Sequence, residues 1–178
     1  MWKVGLSGGL TGPGVGTPYQ AQIVRGHAIV PTGRWEMLLQ PPVGHYVADL
    51  SPSGSDRPDG WNEVVSGPAP QYTFSLSSGP GAIRGLVKNG SDPAPGAPVF
   101  LQGYDADKPA RGVELRSART DAQGRYYFTG LAPGNYRILA TFEYLAPDPP
   151  TMEAAGAQLL TVAPHGEQTM DLDLYVIR

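Results

Sequence analysis

The sequence contains no cysteine, which excludes disulfides, thiolate nucleophiles and cysteine metal sites. Histidine is also scarce: His27, His45 and His165 are the only three, and none has a partner at i,i+2 or i,i+4 spacing. Tandem imidazole ligation of zinc is therefore not indicated. No stretch approaches the roughly 18 consecutive apolar residues of a spanning helix, so the chain is expected not to cross a membrane. The first residues carry Lys3 but no apolar run of signal-peptide length, and any export signal is expected to lie outside this sequence. A basic excess is missing too. Thirteen Lys and Arg stand against 16 Asp and Glu, for a net charge of −3, and nucleic acid is not an expected partner. Arg84, Arg111, Arg116, Arg119, Arg125 and Arg137 read as scattered, solvated side chains.

Glycine and proline are abundant instead. Gly 24 and Pro 19 in 178 residues are about twice the usual share, without a G-X-Y period. Aromatic and β-branched residues recur between these breakers, so the breakers punctuate short strands rather than mark disorder. Residues 1–18 are dominated by glycine and read as a flexible or partner-bound arm. Val4, Leu6 and Leu10 interrupt that arm and make it a candidate for self-association by strand addition.

Strand-like segments in residues 19–80 are Tyr19–Val30, Arg34–Gln40, His45–Leu50, Trp61–Val65 and Gln71–Leu76. In the last, Tyr72, Phe74 and Leu76 alternate with Gln71, Thr73 and Ser75, the period of a strand with one buried face. In residues 81–178, Ile83, Gly85 and Val87 precede the turn Asn89-Gly90. Val99 and Leu101 follow the breakers Pro93–Pro98, and a segment at Val113–Ala118 leads to the turn Asp121-Ala122-Gln123-Gly124. Tyr126 and Phe128 are expected to face the core. So are Tyr136, Ile138, Ala140 and Phe142 on the strongest strand, and Met170, Leu172, Leu174 and Val176 on the last. Met152–Leu160, after Pro149-Pro150, offers at most one helical turn. The architecture expected is all-β: two tandem small β-sandwich domains, Ig-like or prealbumin-like, behind a glycine-rich arm.

The run from Thr120-Asp121 through Gly130-Leu131-Ala132-Pro133-Gly134-Asn135-Tyr136 to Ala140 resembles the central signature of carboxypeptidase regulatory-like domains, a group of transthyretin-like and Cna-B-like sandwiches. Ile83-Arg84-Gly85-Leu86-Val87 and Pro95-Gly96-Ala97-Pro98-Val99-Phe100-Leu101 match that family's opening strands. The resemblance implies a structural or accessory module with no catalytic residues, acting outside the bacterial cell or in its envelope. Cna-B-like relatives can carry Lys–Asn isopeptide bonds, but Lys88 lies on the polar phase of its strand, which argues against one here.

Chemistry-bearing clusters are sparse. Asp105 and Asp107 form a loose carboxylate pair that a loop calcium could use, and Asp49, Asp56 and Asp59 form another. The glycines at Gly8–Gly14 lack a P-loop lysine. A hydrolase would have to assemble its site from distant residues. Aromatics offer more. Trp61, Tyr104, Tyr127 and Tyr144 are the candidate ligand-binding residues, with a glycan or a protein as partner. No cofactor is expected. The Tyr136 hydroxyl needs a buried partner, which a nearby loop carbonyl can supply.

Overall fold

A computed structural model describes residues 3–7, 19–22, 27, 29–51, 62–67, 71–104 and 115–177. The described chain is all-β apart from one short helix. It divides into two compact units, Met1–Ser78 and Gly79–Arg178.

The first unit contains β1 (Lys3–Ser7), β2 (Tyr19–Gln22), β3 (Gly33–Gln40), β4 (His45–Ser51), β5 (Asn62–Val64) and β6 (Thr73–Ser78). One sheet runs β2-β1-β3-β5, and β4 pairs with β6. Leu50, Phe74, Tyr72 and Val64 all pack on Trp35, so the alternation read over Gln71–Leu76 leaves one face half-buried. The Trp35 indole also donates to Pro31 O at 2.8 Å, satisfying its one polar atom.

Of the arm expected over residues 1–18, Lys3–Ser7 lies among the described residues. Lys3–Ser7 pairs antiparallel with β2 on one side and with β3 on the other. Val4 and Leu6 therefore lie in an interior strand whose backbone groups face strands of the same chain on both sides, rather than in a free arm. Leu10 lies outside the described residues. Of the expected strand Tyr19–Val30, Tyr19–Gln22 is strand, and residues 23–26 and 28 lie outside the described residues.

The second unit contains β7 (Gly81–Asn89), β8 (Asp92–Pro93), β9 (Pro98–Gly103), β10 (Leu115–Arg119), β11 (Arg125–Leu131), β12 (Gly134–Ala140), α1 (Pro149–Ala154), β13 (Gln158–Val162), β14 (Glu167–Thr169) and β15 (Leu172–Asp173). One sheet has the order β10-β9-β12-β13. The other has β11-β7-β14, with β8 and β15 also on β7. Ile83 and Val87 from one sheet meet Val99, Leu101, Ile138 and Ala140 from the other in a fully buried core. Burying each such side chain is worth about 1.5–3 kcal/mol.

The turns follow from their residues. Asp121 Oδ1 accepts from Gln123 N and Arg125 N, both at 2.9 Å. Gly124 sits at φ +74, where a Cβ would come within 2.8 Å of Val87 O. Buried Thr120 Oγ1 accepts from Ala97 N at 2.8 Å and donates to Ala94 O at 2.6 Å. The Tyr136 hydroxyl donates to Ala132 O at 2.7 Å, the loop carbonyl expected for it.

Three expectations fail in this unit. The helix occupies Pro149–Ala154, and Gly156, at φ +69, follows its end. Leu159 and Leu160 consequently belong to β13. Phe142 is 56% exposed because β12 ends at Ala140 and the chain bends away. Val176 is exposed as well, since β15 stops at Asp173 and Tyr175 crosses to bond Ala140 O.

Candidate functional site

In β9 and β12 the period-two rule breaks down in an informative way. Val99 and Leu101 face the sandwich core, yet Phe100 and Gln102, on the opposite phase, are buried as well. Ile138, Leu139 and Ala140 repeat the pattern. Helix α1 covers the outer face: Met152 and Ala155 pack on Phe100 and Leu139. Asp148 caps the helix by accepting from Thr151 N at 2.9 Å, and this bonding to Thr151 holds its carboxyl below the usual range.

Polar groups are caught under this cover. Arg137 and Gln102 are cross-strand partners, 8% and 1% exposed. Arg137 Nη1 donates to Pro149 O at 3.0 Å, tying strand to helix. The Tyr104 ring lies over its guanidinium, 4.6 Å from Cζ to the ring centroid. Arg137 Nε and both amide atoms of Gln102 are buried without a hydrogen-bond partner. A cation–π contact contributes about 0.5–2 kcal/mol, whereas each buried unpaired polar atom costs roughly 1–3 kcal/mol. The polar patch is thus a local cost to the fold, offset by the packing of Met152 and its neighbours.

Beside it lies a pocket of about 130 Å³ lined by Tyr104, Arg137, Glu153, Ala157 and Leu159. Arg137 and Glu153 supply its charged lining, with Ala157 and Leu159 as apolar wall. A second, wider cleft of about 900 Å³ is lined by Lys88, Asn89, Gln158, Asp173 and Tyr175 among others.

The sequence candidates are dispersed. Tyr104 is in the pocket. Tyr144 stacks on Tyr175, with centroids 6.4 Å apart and planes at 18°, and packs into the Phe100–Met152 cluster. Tyr127 stands 55% exposed on β11, opposite Arg84 of β7, on the other sheet. Trp61, Asp105 and Asp107 lie outside the described residues. Among the described residues no three His, Cys, Asp or Glu side chains could hold a metal ion. Lys88 Nζ makes a half-exposed ion pair with Asp171 Oδ2 at 3.8 Å. No described helix is long and apolar enough to cross a membrane.

Sequence reasoning missed Arg137, Gln102 and Glu153. By sequence alone Arg137 reads as one of the scattered, solvated arginines. The available signal was the unbroken apolar runs Val99-Phe100-Leu101 and Ile138-Leu139-Ala140, which mark strands covered on both faces.

A family model, the carboxypeptidase regulatory-like domain, matches residues 82–174. No curated protein matches the chain. Among solved structures, a Pseudomonas aeruginosa protein proposed to bind carbohydrate is 20% identical, with 53% of this chain and 88% of that one covered and a TM-score of 0.38. A streptococcal ancillary pilin is 13% identical, covering 90% of this chain and 51% of that one, TM-score 0.40. A minor pilin of Streptococcus agalactiae is 11% identical, covering 99% and 84%, TM-score 0.35. At these identities and scores the likenesses carry no argument about function.

Proposed function

The chain belongs to the carboxypeptidase regulatory-like domain family through residues 82–174, and from that premise we propose that it is a non-catalytic structural or protein-interaction module of an exported bacterial cell-envelope protein. The observation that carries this reading is how the polar groups of the second unit are used. Thr120, Asp121, Arg125, Tyr136 and Thr141 each hydrogen-bond the chain's own turns and strand ends. Such bonding fixes loops in place and leaves those groups no part in acid–base work. The partners are other proteins or further domains of a longer chain. The described part of the expected arm, β1, pairs with strands of its own chain on both sides, so the reading does not rest on self-association there. Surface labelling of bacteria producing the native protein tests the reading. Modification of its lysines by a membrane-impermeant amine reagent is expected, and labelling only after lysis would overturn it.

The pocket between Tyr104, Arg137 and Glu153 favours a second reading, an accessory domain that binds a glycan. Paired donors and acceptors against an apolar wall suit sugar hydroxyls. A glycan array with the chain and with Glu153→Ala tests it: retained binding by the variant, or none by either protein, would sink it. A hydrolase remains the third class, and would need a histidine within hydrogen-bond reach of a carboxylate.

A further inference from the structure

Strand β13 ends the sheet β10-β9-β12-β13, and its pairing fixes where its backbone points. On β12, Asn135 O accepts from Tyr104 N and Thr141 N donates to Pro98 O, so the odd-numbered residues face β9. Ala140 O accepts from Tyr175 N, so the even-numbered residues face the other way. The register Gly134↔Val162, Tyr136↔Leu160 and Ile138↔Gln158 then turns the backbone groups of Gln158, Leu160 and Val162 toward β12. The N–H and C=O of Leu159 and Thr161 point out of the sheet. Among the described residues no strand pairs with that side.

The edge strands β10 and β14 of this unit are defended. Arg116 and Arg119 lie on β10. Arg116 also reaches across to β11, donating to Thr129 O at 2.7 Å and Gly130 O at 3.4 Å. Strand β14 has three residues, and its Glu167 is paired with Arg84 at 3.2 Å. Charged, capped and short edges are the usual protections against strand addition. Gln158-Leu159-Leu160-Thr161-Val162 has none of them: no charge, no proline, no bulge, and a Leu159 side chain 60% exposed.

We infer that β13 is a homodimerisation edge, on which two copies of this chain pair antiparallel about a two-fold axis at Leu160. That register sets Leu159 opposite Thr161 of the second copy and Thr161 opposite its Leu159. All four outward-pointing groups of each β13 are then used, in four backbone hydrogen bonds. Inward faces stay inward, and two four-stranded sheets become one of eight. Charge selects a second copy as occupant. A two-fold pairing brings like side chains of one strand close together, which destabilises charged edges such as β10, whereas β13 is neutral throughout. The inference deepens the reading of the chain as an interaction module by naming its partner.

Sedimentation equilibrium on the full chain tests it, and the mass is expected to rise from 18.9 kDa toward twice that value with concentration. Leu159→Lys sets a charge on the edge, and Leu159→Pro removes an amide that β12 does not use. Each is expected to weaken association by roughly tenfold or more with the melting temperature of the monomer little changed. Ser117→Lys on β10 is expected to leave it unaltered. In the unmutated protein, exchange of the Leu159 and Thr161 amides should slow as the dimer forms, a readout independent of how the variants fold. A monomer at all concentrations, or a dimer in which those two amides exchange as fast as in the monomer, would overturn the inference. Neither result would alter surface labelling, so the module reading stands or falls separately.

Discussion

At the scale of single residues, the second unit is held by side chains that act as extra pieces of backbone. Thr120 is the clearest case, because one buried hydroxyl serves both Ala97 N and Ala94 O. Replacing it with valine keeps the shape and leaves both groups buried and unpaired. Thr120→Val is expected to cost roughly 2–4 kcal/mol, measured by urea denaturation. Asp121 works by charge as well as geometry. The bond from Arg125 N, and then the Arg125 side chain, hold its carboxyl below the usual carboxylate range. A carboxyl with a lowered native pKa stabilises the fold above its unfolded value and loses that contribution as pH falls through the native one. Asn keeps a side-chain oxygen for the turn but does not titrate. The gap in melting temperature between the native chain and Asp121→Asn is therefore expected to be widest near neutrality and to close below about pH 4. A gap that is constant with pH would contradict this.

At the scale of elements, α1 has the largest effect for its length. Six residues are too few for a helix to be stable alone, so its formation rests on its cap and on Met152. Met152 is fully buried between the helix and the Phe100–Leu139 face. Met152→Ala is expected to cost about 2–5 kcal/mol and to uncover Arg137, raising the exchange rate of the amides of β12. Unchanged stability would mean that α1 is only lightly docked. The same element explains a misreading of the sequence. Leu159 and Leu160 suit a helix as well as a strand by composition, and a short apolar run cannot be assigned by periodicity alone. Gly156 ends the helix, and pairing of Gln158–Val162 with β12 makes the strand.

At the scale of the whole molecule, the described core cluster of Gly79–Arg178 runs from Ile83 to Leu172, all residues of that unit. The fragment 79–178 is expected to unfold as a single cooperative transition, followed by far-UV circular dichroism. A broad, non-cooperative melt would show that its core depends on residues before Gly79. The all-β class and the strands β7, β9, β10, β11 and β12 of the second unit were legible in the sequence, whereas β13 and β14 were not. Alternation at Ile83–Val87 and Tyr126–Phe128 and the turns at Asp121 and Pro133 are short-range signals, and local backbone preference carries them.

What only tertiary structure decided are the facts set by partners distant in sequence. The chain near Val4 and Leu6 reads as an arm until β2 and β3 close on it from either side. Arg137 reads as one solvated arginine among many until α1, a dozen residues on, covers it and Tyr104 lies over its guanidinium. Gly and Pro spacing limits where strands can begin and end, since each acts on its own φ and ψ. Which faces are covered, and whether β13 is an interior or an open edge, depend on long-range pairing that no local preference encodes.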